Sequence, residues 1–195
     1  MWTMMRLIRA ILYNPDLFVE PYLHHLTPNI LSCLLAKKLS ETSLSSANDC
    51  RIFASQLLSH ICLTYGDAYP TLVPRVTKTL LRAFLDSSKS LGYRHGAIVG
   101  LEGLGPTVLK SVVLPNVKSF AEEMQIAVTT PEFAAEGEAC IQAMQRLLVT
   151  LAKSELKSRI EAGESSSQAQ NYIHRTLGPQ LGLYEKRVLS QVMDS

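Results

Sequence analysis

The sequence lacks any run approaching the roughly 20 uninterrupted apolar residues that a membrane-spanning helix requires, although 47% of its 195 residues are apolar. Those residues are dispersed instead, as in a soluble chain that buries one sizeable core or stacks repeats on one another. Cys-x-x-Cys is absent as well. Cys33, Cys50, Cys62 and Cys140 are scattered, which argues against a disulfide framework and a zinc ribbon and fits a reducing compartment. Strong charge of one sign is also missing. The net charge is +2, with ten Lys/Arg against six Asp/Glu in residues 1–100 and nine against eleven in 101–195, too mild a polarity to announce nucleic acid.

Catalytic and ligand motifs are equally scarce. Gly92, Gly96, Gly100, Gly103 and Gly105 crowd one region, but no strand precedes them and neither a phosphate loop nor a Gly-x-Gly-x-x-Gly turn is present. Recurrence every four residues places Gly92, Gly96 and Gly100 on one helix face, where a neighbouring helix can approach closely; Gly103 and Gly105 then end the helix. His24, His25, His60, Cys62 and His95 do not give the three- or four-residue spacing that chelation along one helix face needs. Ser154-Glu155-Leu156-Lys157 matches Ser-x-x-Lys without its companion motifs. Glu122 and Glu123 are consecutive and diverge around a helix, while Glu132, Glu136 and Glu138 read as a solvated face. No catalytic residue, metal ligand or cofactor is expected, so the chain is not expected to be an enzyme.

Residues 1–13 are apolar with Arg6 and Arg9 embedded, and Met4, Met5, Ile8, Ile11 and Leu12 recur at helical spacing. The two arginines interrupt the apolar run of a secretory signal, so an amphipathic helix docked on a neighbour is expected.

What the chain does contain is a repeat marked by proline. Leu-Thr-Pro-Asn-Ile (26–30), Leu-Val-Pro-Arg-Val (72–76) and Val-Leu-Pro-Asn-Val (113–117) align on Pro28, Pro74 and Pro115. In each, apolar residues stand two before, two after and six after the proline. The prolines lie 46 and 41 residues apart, within the roughly 40 to 47 residue period of HEAT and armadillo units. An amphipathic run and a break precede each segment: 7–13 before Asn14-Pro15, 52–65 before Gly66-Asp67, and 93–104 before Gly105-Pro106.

Helix, turn, helix is therefore the expected unit, with Pro21, Pro70 and Pro106 opening the second helix of each pair. The later prolines predict either kinked helices or helices that start further on. A fourth unit follows from Pro131, with the option of one long helix. The expected fold is all-α, a HEAT-like solenoid of antiparallel helix pairs. Residues 1–160 are expected to form about four pairs, and 161–195 a C-terminal tail, weakly ordered or a short helix. Residues 40–48 read as a weakly ordered linker.

Arg75, Lys78 and Arg82, three and four apart, form one positive stripe on the second helix of the middle pair. The stripe reads either as a solvent face or as a docking surface for an acidic partner, since second helices of solenoids commonly line the binding side. It lacks aromatic interleaving, so direct DNA binding is expected to be weak or absent.

Four stretches carry a family resemblance. Asn14-Pro15-Asp16-Leu17-Phe18-Val19-Glu20-Pro21-Tyr22-Leu23-His24-His25-Leu26-Thr27-Pro28 resembles the opening signature of the C-terminal HEAT domain of the TBP-associated factor that is subunit 6 of TFIID, and Arg75-Val76-Thr77-Lys78-Thr79-Leu80-Leu81 resembles its middle signature. Tyr93-Arg94-His95-Gly96-Ala97-Ile98-Val99-Gly100-Leu101-Glu102-Gly103-Leu104-Gly105 and Val113-Leu114-Pro115-Asn116 are similar to the elements that follow. Arg94-His95 departs from the simpler link of the family.

The resemblance implies a nuclear, non-catalytic scaffold of a general transcription factor complex in RNA polymerase II preinitiation, shared in part with histone-acetylating coactivators. It implies contacts with other TFIID subunits such as subunits 8, 1 and 2, with a second copy of the chain as a further candidate partner, and none with membrane. Subunit 9 would be met through a histone fold that this sequence does not include. The alternative is a HEAT or armadillo adaptor unrelated to transcription.

Overall fold

A computed structural model describes residues 2–37 and 44–193. Every regular element among them is helical. The chain separates into two compact units, Met1–Leu104 and Gly105–Ser195.

In the first unit, α1 (Trp2–Leu12) buries Met5, Ile8 and Leu12, one side of the amphipathic pattern. Helices α2 (Leu23–Leu34), α3 (Leu44–Tyr65), α4 (Leu72–Leu85) and α5 (Leu91–Glu102) follow. The first helices of the three expected pairs stack in order, α1 on α3 and α3 on α5, while α2 rests mainly on α3 and α4 on α5. The linker expected at 40–48 lies partly outside the described residues. From Leu44 the chain is already helical, because Ala47 and Cys50 extend the buried stripe of Ala54, Leu57, Leu58 and Ile61 back by two turns.

The three aligned prolines are accommodated in three ways. Pro28 sits inside α2, preceded by a 3-10 turn at Glu20–Tyr22 that holds Pro21. Pro74 falls in the first turn of α4, whose backbone N–H groups have no intrahelical partner in any case. Pro70 consequently lies outside α4 and does not open it, a correction to the pattern read from the sequence. Pro115 divides its helix: α6 (Pro106–Val108) widens into a π-helical segment at Leu109–Val113, then a 3-10 turn at Leu114–Asn116, before α7 (Val117–Thr129). A proline inside a helix removes one backbone hydrogen bond and its ring crowds the carbonyl four residues back, and at Pro115 the helix departs from regular α geometry. Gly105, at the start of this segment, has φ +93, a conformation that favours glycine.

The second unit is built around α8 (Ala134–Glu161), one uninterrupted helix of 28 residues. Helices α9 (Ser166–Thr176), α10 (Gly178–Leu181) and α11 (Glu185–Met193) complete it, and α7, α9 and α11 all pack on α8. The boundary expected between 160 and 161 thus falls inside this unit. Residues 161–195, expected as a weakly ordered tail or a short helix, hold three helices because Ala169, Ile173, Leu177, Leu181, Tyr184, Val188 and Val192 form a buried stripe at three- and four-residue spacing. Arg159 ties α8 to α9. Its guanidinium donates to Glu164 at 2.6 Å and lies over the Tyr172 ring, 3.0 Å from the centroid.

Ser165 starts α9 with a capping box: its Oγ accepts the Gln168 N–H, and the Gln168 side chain accepts the Ser165 N–H. Ser165→Ala removes one half of that exchange and should cost about 1 kcal/mol. Amide hydrogen exchange should then speed up across α9 while residues of α3 and α5 keep their protection.

All four cysteines are free thiols and buried. The Sγ atoms of Cys33 and Cys50 lie 3.7 Å apart. Burial, reinforced by Cys50, pushes the Cys33 thiol up to about 12, and burial pushes Cys62 up to about 11 from an ordinary 9.0. The unfolded chain therefore loses these protons near pH 9 while the folded chain retains them. Stability should hold below pH 9 and fall progressively as pH rises toward 11 to 12. Denaturant midpoints measured across that range test it, and a pH-independent midpoint would contradict the burial.

Candidate partner-binding surface

The surface is organised by α4, whose sequence separates two faces cleanly. Val76, Leu80, Ala83 and Phe84 are buried, while Arg75, Lys78, Thr79 and Arg82 are exposed. The stripe read from the sequence therefore lies on one open helix face. The Thr79 hydroxyl donates back to the Arg75 carbonyl at 2.9 Å. Neither α2 nor α4 contains an Asp or Glu, so no acidic residue within these helices offsets the three cations. None of the three makes an ion pair among the described residues.

Between α2 and α4 runs a groove of about 420 Å³. Leu23, Thr27 and Leu31 form its α2 side, and Leu72, Arg75 and Val76 its α4 side. Arg75 thus belongs to both groove and stripe, whereas Lys78 and Arg82 continue the stripe beyond the groove lining. One end carries Glu20 and Tyr69, joined by a hydrogen bond from the Tyr69 hydroxyl to Oε2 at 3.2 Å. That bond and the carboxylate charge raise the Tyr69 phenol above its ordinary value.

What holds α4 and α2 in place is buried chemistry on α3 and α5. The Arg51 side chain of α3 is only 2% exposed and donates from Nη2 to the Ala36 carbonyl beyond the end of α2 at 3.0 Å, and from Nη1 to Asn48 Oδ1 at 3.1 Å. Arg94 of α5, also buried, donates from Nε to the Phe84 carbonyl in the last turn of α4 at 3.0 Å. The last carbonyls of a helix have no intrahelical donor, so a buried end needs such partners. The two arginines stand 43 positions apart, one repeat period.

The glycine face of α5 is the counterpart. A Cβ on Gly96 would lie 1.9 Å from the Leu34 carbonyl oxygen, and one on Gly92 would lie 3.0 Å from Arg51 Nη2. Further along, Ser55 and Ser59 of α3 donate to the Val99 and Gly103 carbonyls at 2.7 and 2.6 Å. The glycines pack helices, as their spacing suggests. His95 is buried and His60 stacks on Tyr13 with ring centroids 4.2 Å apart. No three His, Cys, Asp or Glu side chains are grouped to hold a metal ion among the described residues. No helix among them is long and apolar enough to cross a membrane.

A family model described as the TAF6 C-terminal HEAT repeat domain matches residues 1–118. The chain belongs to this family. It is 43% identical over 135 residues to transcription initiation factor TFIID subunit 6b of Arabidopsis thaliana, covering 69% of this chain and 25% of that protein. It is 36% identical over 192 residues to the SAGA complex/transcription factor TFIID complex subunit Taf6 of Schizosaccharomyces pombe, covering 95% of this chain and 39% of that protein. The chain spans between a quarter and two fifths of the length of these relatives. Among solved structures it is similar to the TAF6 C-terminal domain from Antonospora locustae, with a TM-score of 0.54 and 26% identity over 71% of this chain and 66% of that one.

In this TAF6-type HEAT domain the α4 side of the surface was legible from charge spacing alone. The α2 side was not. Leu23, Thr27 and Leu31 recur at helical spacing, but nothing in that spacing distinguishes a groove wall from a buried face.

Proposed function

We propose that the chain is a non-catalytic protein–protein interaction scaffold within a TFIID-like general transcription factor assembly in the nucleus, and that the exposed α4 face carrying Arg75, Lys78 and Arg82 contacts other subunits. The observation that carries the reading is the match of the family over residues 1–118, which include this face. The relatives' names support the setting: one is a TFIID subunit, and one a subunit of SAGA and TFIID complexes. The surface supports the mode. A cationic face free of ion pairs among the described residues suits an acidic partner and steers its approach.

The test is affinity capture from nuclear extract using the chain and its Arg75→Glu/Lys78→Glu variant, with mass spectrometry of the retained proteins. The chain should retain TFIID subunits, and the double variant should retain less than about one tenth as much, the loss expected for reversing two contact charges. Both substituted positions are exposed, so circular dichroism and the denaturant midpoint should match the parent. Equal retention by both proteins would remove the α4 face from the proposal, and retention of no transcription subunit by the parent would remove the assembly.

A further inference from the structure

We infer that the groove between α2 and α4 binds an acidic peptide segment of a partner protein, with an apolar side chain seated between the helices and carboxylates on Arg75, Lys78 and Arg82. The inference rests on the scaffold reading and names the chemistry of its partner.

Two observations converge. The groove's volume, about 420 Å³, falls within the roughly 300 to 1,000 Å³ of sites that enclose small ligands, room for a few side chains but not for a packed domain. Its helical walls are apolar at Leu23, Leu31, Leu72 and Val76, so an entirely hydrophilic segment would leave them wet. Charge supplies the second observation. The two helices hold three Lys/Arg and no Asp/Glu, and the carboxylate at the groove, Glu20, is engaged by Tyr69. Arg75, Lys78 and Arg82 span about two turns of α4, so a chain lying along the groove passes all three.

Nucleic acid fits less well: the helical walls of the groove are mainly aliphatic, whereas a single-stranded site tracks the backbone with a row of aromatic faces on which successive bases stack.

The experiment is selection from a random peptide library displayed on phage, panned on the whole chain and on two variants, Arg75→Glu/Lys78→Glu and Thr79→Trp. Thr79 is exposed and lines the groove, so tryptophan there fills it without touching the core. Selected peptides should be net acidic with at least one large apolar residue. A synthetic member should lose about tenfold or more in affinity for either variant, and bind more weakly as salt rises. Changing its apolar residue to serine should cost a similar factor. Selection of neutral or basic peptides would overturn the inference, as would unchanged affinity for either variant, or tighter binding of a random single-stranded oligonucleotide to the same face. The two proposals fail separately. Capture of transcription subunits without selection of acidic peptides sinks the groove alone; selection of such peptides without capture of those subunits sinks the assembly alone.

Discussion

Gly96→Ala should destabilise the first unit by about 3 kcal/mol or more, the upper range for forcing atoms into a packed core. The added Cβ would lie 1.9 Å from the Leu34 carbonyl oxygen and 2.9 Å from its carbon, both backbone atoms that no rotamer change can move. Relief requires α5 and the end of α2 to separate. Separation in turn disturbs Arg51, whose Cδ stands 3.5 Å from the same Cβ position. The hydrogen that occupies that position in glycine is aimed at the Leu34 oxygen, a weak C–H···O contact to a carbonyl at the helix end. Gly100→Ala is the control: the atoms nearest its Cβ would be the ends of the Leu34 and Leu80 side chains, at 2.6 and 3.0 Å, and these can rotate. Denaturant midpoints should place Gly96→Ala well below Gly100→Ala. The reverse order would show that α2 and α5 are not packed as described.

Arg51→Ala should cost about 3 to 5 kcal/mol, comparable with truncating a large core side chain. Two effects add. Arg51 is among the largest fully buried side chains, so alanine leaves a cavity. It also leaves the part-buried Ala36 carbonyl without its guanidinium donor, and losing a hydrogen bond to a charged group costs about 1.5 to 3 kcal/mol. Arg51→Met separates the two. Methionine fills much of the volume but donates nothing, so it should recover part of the loss and not all of it. If methionine were as stable as arginine, the hydrogen bond to Ala36 would contribute nothing, and the account of how α2 is anchored would be wrong.

These two positions show how sequence information is distributed in this fold. The glycine repeat announced close packing because its spacing coincides with the helix period, and no partner residue had to be known. The cationic stripe of α4 was legible for the same reason. Arg51 and Arg94 carried no such mark. An arginine is normally a surface residue, and acceptors such as the carbonyls of Ala36 and Phe84, brought close by the fold, justify burying it. The groove shares this limit, since Thr27 and Arg75 stand 48 positions apart and become neighbours only when α2 and α4 are placed. The helical content of 166–193 was legible in principle. Its apolar spacing is regular from Ala169 to Val192, but serine-rich composition and Gly178-Pro179 outweighed that signal. Ser165 was in fact a helix start, and Pro179 stands in the first turn of α10, where its missing N–H costs little.

The central claim is that the exposed face of α4 is a protein-binding surface. Lysine acylation followed by mass spectrometry tests it directly, on the isolated chain and on the chain recovered in its native assembly. Lys78 should be strongly protected in the assembly relative to the isolated chain, while Lys157, exposed on α8, serves as the internal reference. Equal reactivity of Lys78 in both states would contradict the account, because a residue in the proposed interface cannot remain open to reagent while its partner is bound.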